Sequence, residues 1–308
     1  MKTSKQIIFF GADNFSVTSL QHLIDKGFPI ACVITKPDAK KGRGRNLEKT
    51  PLKELALKYG IEVRQPETLI DIINDIKKTE NRLGVLVSYG QMIPAQILAL
   101  FEPIGIINLH PSLLPKYRGP SPIESAILNG DKITGISLIK LTNQMDAGPI
   151  YHQTPVEINN LGAIELYQQL SEIGAKILIE FLPQIENGTV SAHAQDSINA
   201  SYTHLLKKSD GLIDWNNSTK NIIQGIKAYE IWPKSHTKIG NVDVIIHQAH
   251  VEPSRRNSQP GAMHTDHKTS IAFTTQDGLI GIDVLQPLGK KPMDTKSFLA
   301  GYNSKLGD

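Results

Sequence analysis

The sequence predicts an α/β chain in two parts. A Rossmann-like, doubly wound parallel sheet comes first, and a small OB-like β-barrel follows. Three observations carry this. Residues 6–11, 30–35 and 83–88 are apolar runs of strand length, separated by segments of helical pattern. Residues 162–188 form one long amphipathic pattern. From residue 235 onward, short β-type runs follow one another with Gly and Asn between them.

The opening is a βαβ unit. Residues 6–11 read as a buried strand ending in glycine. Residues 15–26 read as a helix, with Val17, Leu20, Leu23 and Ile24 on its apolar side and Gly27 closing it. Residues 30–35 are the second strand. The first turn, G-A-D-N-F-S, lacks the second and third glycines of G-x-G-x-x-G, which excludes NAD while keeping the fold. Residues 36–49 read as a polar loop with six basic and two acidic residues, and Gly42 and Gly44 flank Arg43. Helix 51–59, strand 62–65, helix 69–78 and strand 83–88 follow, then helix 94–100. Residues 104–110 form a further strand, 121–128 a helix and 135–141 a strand. In helix 162–188, Leu166, Leu170, Ile173, Ile177, Leu178 and Phe181 make the apolar side, and Pro183 is expected to end or kink it late. Residues 191–206 lack clear periodicity and are expected to be a linker between domains 1–190 and 207–308.

Composition bounds the possibilities. The chain has 308 residues, 40% hydrophobic and 20% charged, ordinary for a globular protein. No apolar run approaches the roughly 20 residues of a membrane span. The first strand begins so early that no signal peptide is expected, and the single cysteine, Cys32, fits a reducing cytoplasm. The histidines and lone cysteine show no metal-ligand spacing, so no metal is expected. Residues 1–200 hold 20 Lys/Arg and 20 Asp/Glu, and residues 201–308 hold 13 and 10. The net charge of +3 therefore lies in the last third, a weak pointer to a polyanionic partner.

The segment 105–125, G-I-I-N-L-H-P-S-L-L-P-K-Y-R-G-P-S-P-I-E-S, is the candidate site. Asn108 and His110 alternate at the end of a strand, so their side chains share one face. In an open α/β sheet that end is where ligands bind. Pro111, Pro115 and Pro120 make the following loop rigid. Imidazole can take a proton from an amine, and a carboxamide can donate to an oxygen that gains negative charge. The pair suits acyl transfer, though Asn-x-His alone is more often structural.

The run N-L-H-P-S-L-L-P-K-Y-R-G-P-S-P-I resembles the signature of the folate-dependent formyltransferases, and the resemblance covers nearly the whole chain. It implies 10-formyltetrahydrofolate as formyl donor and an amine as acceptor. It makes Asn108, His110 and Asp146 the catalytic residues, with Asp146, in Q-M-D-A-G-P, orienting His110 and holding its charged form. It places the folate against Ser112, Leu113, Leu114 and Pro115, and against S-Y-G-Q-M-I-P through Tyr89, Gly90, Gln91 and Ile93. Tyr89 read alone is equally a core aromatic. Thr142 and Asn143 depart from the family, where an acidic residue often stands.

The basic loop resembles that of the tRNA-specific branch of the family. This implies Lys40, Lys41, Arg43 and Arg45 as tRNA-binding residues. It implies a barrel-like second domain that contacts tRNA and an initiator tRNA carrying methionine as partner. A monomer in the cytoplasm, with no membrane partner, is expected. The rival within the family acts on an amino-sugar nucleotide and as a rule lacks such an arm. A folate deformylase is a third reading, and a non-catalytic RNA-binding protein would not need Asn108, His110 and Asp146 together.

Overall fold

In this computed structural model, which describes residues 3–41, 46–253 and 258–306, the expected βαβ opening is present as β1 (Gln6–Gly11), α1 (Asn14–Asp25) and β2 (Ile30–Ile34). Asp13 starts α1, its carboxylate accepting the amides of Phe15 and Ser16 at 3.0 and 3.3 Å. These are donors that the first helical turn leaves unpaired. β3 (Ala39–Lys41) and β4 (Asn46–Glu48) pair antiparallel, so the flanks of the basic segment form a hairpin where an irregular loop was expected. Arg43 and Arg45 lie outside the described residues.

Next come α2 (Pro51–Lys58), β5 (Glu62–Arg64), α3 (Ile73–Lys78), β6 (Arg82–Val87), α4 (Ala95–Leu98) and β7 (Ile106–His110). They lead to α5 (Pro122–Leu128), β8 (Ile133–Lys140), β9 (Ile150–Glu157) and α6 (Ala163–Glu186). The seven-stranded sheet has the order β5-β2-β1-β6-β7-β8-β9. Its first five strands are parallel, as expected of a doubly wound sheet. β8 runs antiparallel to β7, and β9 antiparallel to β8. Antiparallel neighbours need no helical crossover, so β8 and β9 are joined by a turn instead. The reading by pattern does not find β9, whose residues are mostly half-exposed or exposed and lack a continuous apolar run.

β1, β6 and β7 are almost wholly buried, which is why they read as apolar runs rather than alternating ones. Ile8, Phe10, Leu86, Tyr89, Ile97, Phe101 and Ile106 share one core cluster. α6 lies against the Leu109 side of β7, since a Cβ at Gly174 would stand 3.0 Å from Leu109 Cδ1. Asn108 and His110 therefore point from the other face. Pro183 sits within α6 without ending it. Among the described residues, no helix is long and apolar enough to cross a membrane.

The described residues make two compact units. The first contains 1–122, 133–157 and 167–204, and the second 123–132, 158–166 and 205–308. In the second, α7 (Thr219–Ala228) precedes β10 (His236–Ile239), β11 (Val242–Glu252), β12 (Met263–Thr265), β13 (Ile271–Thr274) and β14 (Leu279–Pro287). β15 (Met293–Asp294) and α8 (Thr295–Tyr302) close it. The strand order is β10-β11-β14-β13-β12, with β15 on β14, and every pairing is antiparallel. Ile222 and Ile226 of α7 and Phe298 and Leu299 of α8 pack with Ile246, Phe273, Ile280 and Leu285 of the sheet. Trp215 stacks on Phe273 with ring centroids 4.3 Å apart.

Candidate active site

β7 delivers Asn108 and His110 to one place, each only 4% exposed. The Asn108 carboxamide makes no hydrogen bond with any other described residue. The carboxamide is largely covered but not sealed off, since among the described residues the fully enclosed polar side-chain atoms without partners belong to Ser19, Tyr89 and Thr134. Its donors are thus free for an incoming oxygen.

His110 is fixed from both sides of its ring. Nε2 lies 2.8 Å from the carbonyl oxygen of Tyr117. A carbonyl only accepts, so Nε2 carries the proton and Nδ1 is left bare in the neutral ring. Nδ1 faces Oδ2 of Asp146 at 3.6 Å, beyond hydrogen-bond length but within ion-pair reach once the ring is charged. The ring is thus oriented by Tyr117, and the Asp146 carboxylate stands where it stabilises an imidazolium. The same Oδ2 accepts the Gly119 amide at 2.8 Å.

Two glycines make this geometry possible. Gly119 has φ +113, a backbone that only glycine adopts without strain, and a Cβ there would meet Oγ1 of Thr203 at 2.7 Å. A Cβ at Gly148 would land inside the carbonyl oxygen of Lys140, at the end of β8. The turn carrying Asp146 is therefore pressed onto the end of β8, with Asp146 itself at φ +48.

The loop after β7 is held through its backbone groups by side chains of the loop itself and of β8 and β9. Ser112 Oγ donates to the Lys116 carbonyl at 2.6 Å. Ser137 on β8 donates to the Ser112 carbonyl at 2.6 Å and accepts the Leu114 amide at 3.0 Å. Gln153 on β9 donates to the Leu114 carbonyl at 2.9 Å. Ser112 and Leu114 are buried, and Leu113 lies beside Gly135 of β8. Pro115 offers its carbonyl to Ser201 N at 3.2 Å.

The second loop expected at the site follows β6. Tyr89 is 1% exposed and packs edge-to-face on Phe10, with centroids 5.9 Å apart, so its ring belongs to the core. Burial pushes its hydroxyl up to about 12, and that hydroxyl has no hydrogen-bond partner among the described residues. Ile93 is buried in the same cluster, whereas Gly90 and Gln91 are exposed between these two anchors. Lys36 brings its ammonium to 2.6 Å from where a Gly90 Cβ would stand. Thr142 and Asn143 are exposed, and Thr142 Oγ1 lies 3.3 Å from the Gln144 carbonyl. Lys40 and Lys41 lie on β3, in the separate two-stranded hairpin. Among the described residues no group of His, Cys, Asp or Glu could hold a metal ion.

Sequence reasoning missed the contribution of residues 193–204. His193 pairs with Ile150, and Tyr202 with Arg118. Thr203 N donates to the Arg118 carbonyl at 2.8 Å, and Ser121 Oγ to the His204 carbonyl at 2.7 Å. Arg118, 3% exposed, donates to Gln195 Oε1 and to the Tyr202 hydroxyl. Beyond the His193 bridge to the start of β9, this strap has no periodicity because its partners are loop groups rather than a helix or sheet face.

The chain belongs to the formyl transferase family, its residues 5–182 matching the formyl transferase model and 205–303 the formyl transferase C-terminal domain model. It is similar to the methionyl-tRNA formyltransferase of Sulfurihydrogenibium sp. (strain YO3AOP1), 36% identical over 308 residues, covering 98% of this chain and 99% of that one. The methionyl-tRNA formyltransferase of Thermodesulfovibrio yellowstonii is 38% identical over 307 residues, covering 99% and 98%.

Among solved structures, WlaRD, a sugar 3N-formyl transferase with dTDP and 5-N-formyl-THF, superposes with a TM-score of 0.67 at 23% identity, covering 94% of this chain and all of that one. HypX from Aquifex aeolicus, in complex with tetrahydrofolic acid, gives 0.67 at 16% identity over 97% of this chain, which spans 47% of HypX. These two likenesses establish the fold.

Proposed function

We propose that this protein transfers the formyl group of 10-formyltetrahydrofolate to the amino group of a methionyl initiator tRNA. The observation that carries the chemistry is the unpartnered Asn108 carboxamide beside a histidine whose free nitrogen faces a carboxylate. The amine nitrogen attacks the formyl carbon, and Asn108 donates to the oxygen that becomes an oxyanion. His110 takes the amine's proton on Nδ1, and Asp146 stabilises the resulting imidazolium. The tetrahedral intermediate then breaks its bond to the folate N10, and His110 returns the proton to that nitrogen. No metal is called for, because the leaving nitrogen receives its proton from the ring.

The donor is read at Ser112, Leu113, Leu114 and Pro115 and along residues 89–93. There Tyr89 and Ile93 anchor the loop, while Gly90 and Gln91 face outward. Support for tRNA as acceptor comes from the full-length likeness to methionyl-tRNA formyltransferases and from the basic segment containing Lys40, Lys41, Arg43 and Arg45. We take the enzyme to work as a cytoplasmic monomer. The test offers the pure protein 10-formyltetrahydrofolate with either charged initiator tRNA or a dTDP-amino sugar. Formylation of the tRNA alone is expected. Formylation of the sugar alone would overturn the acceptor.

A further inference from the structure

We propose that Gln195 is a positioning residue for formyl transfer: it ties the turn bearing Asp146 to the loop bearing Arg118, and so sets the separation of Asp146 and His110. The inference rests on the catalytic reading above. Both ends of the Gln195 amide are used. Nε2 donates to the carbonyls of Asp146 at 2.7 Å and Gly148 at 2.8 Å. Oε1 accepts from Arg118 Nε at 3.0 Å and Nη2 at 2.7 Å. One side chain thus saturates two donors and two acceptors, and no other natural side chain of this size offers both.

The groups it joins are the ones whose placement matters. Asp146 sits at φ +48, an uncommon conformation for a non-glycine residue that its surroundings must enforce. Gln195 grips the carbonyls on both sides of that turn. Arg118 is buried, and among the described residues its guanidinium meets no carboxylate. Its partners are the neutral oxygens of Gln195 and Tyr202. Its neighbours Tyr117 and Gly119 supply the carbonyl that orients His110 and the amide that holds Asp146. Gln195 therefore closes a ring in which each half of the His110–Asp146 pair is fixed against the other. Without it the Gly119 amide alone ties Asp146 to this loop, and a shift near 1 Å at such a pair costs about 10²-fold in rate.

The test uses Gln195→Glu, Gln195→Ala and Asp146→Asn in the full chain, with formyl transfer, folate KM and melting temperature as readouts. Gln195→Glu keeps an acceptor for Arg118 but sets a carboxylate against two carbonyls. A purely structural anchor would lose melting temperature in both variants, with kcat of the folded protein unchanged. Positioning predicts a loss in kcat of tenfold or more in both Gln195 variants, with folate KM within about twofold of the parent and Gln195→Glu still folded. It also predicts that Gln195→Ala costs less than threefold in the Asp146→Asn background, because the two act as a unit. Independent, multiplicative losses, or unchanged kcat in Gln195→Glu, would overturn the inference. His110→Ala, measured alongside, tests the underlying catalytic reading by itself: if that variant keeps its rate, the site is wrong whatever Gln195 does.

Discussion

Oδ2 of Asp146 accepts the Gly119 amide at 2.8 Å and faces Nδ1 of His110 at 3.6 Å, so the carboxylate is anchored by backbone while it waits for a charge on the ring. This makes its contribution electrostatic. Asp146→Asn keeps the shape and removes the charge. Turnover should fall at least tenfold and at most by the roughly 10²–10⁴ that general acid–base catalysis supplies. The melting temperature should stay near that of the parent. Initial rates under saturating folate check this, and an unchanged rate would make Asp146 a turn residue only.

Gly148 tests the scaffold rather than the chemistry. Its missing Cβ is what lets the Asp146 turn close on the Lys140 carbonyl. Gly148→Ala forces that contact apart and should cost about 1–3 kcal/mol, the usual range for overpacking. Denaturant unfolding gives the stability, and activity should fall as well because Asp146 moves with the turn. A variant as stable and active as the parent would show that the turn yields freely.

Cys32 should be sluggish. Burial pushes its thiol up to about 11, the Glu62 carboxylate adds to this, and Arg64 opposes it. Only the thiolate reacts, so at pH 8 alkylation by iodoacetamide should run about 10²-fold slower in the native protein than in the unfolded chain. Equal rates would place the thiol in a different environment.

His250 predicts a pH dependence of stability. The Asp283 carboxylate, 2.8 Å from Nδ1, raises its pKa, partial burial opposes this, and the Glu252 carboxylate, 3.3 Å from Nε2, adds to it. A raised histidine favours the folded state when protonated. Its contribution is complete below the ordinary imidazole value and is lost as pH rises through the raised one. The pair is half-exposed, so the loss should stay under about 1 kcal/mol. Urea midpoints at pH 5.5 and 9 should show it in the parent and lack most of it in Asp283→Asn.

The parts legible from sequence were those fixed by local pattern. β1, β6 and β7 announced themselves as apolar runs because both their faces are covered. Asn108 and His110 were placed on one face by strand alternation alone. Asp146 came only through the family resemblance, since an Asp before Ala-Gly looks like any turn. The family resemblance sets Tyr89 at the folate pocket, whereas its ring lies in the core. Gln195 was invisible because its meaning lies in four hydrogen bonds to residues distant in sequence. β9 and the hairpin of β3 and β4 escaped for a related reason: their pairing partners, rather than their own apolar content, make them strands.

The central claim is that the unpartnered Asn108 carboxamide stabilises the oxyanion of formyl transfer. Its most direct test is the single-turnover rate of Asn108→Ala with 10-formyltetrahydrofolate and charged initiator tRNA, with folate affinity measured separately. The account predicts a fall of about 10²–10³ in rate, the usual cost of one lost oxyanion donor, and a folate affinity close to that of the parent. A near-normal rate would contradict the role of Asn108. So would a loss explained entirely by weaker folate binding.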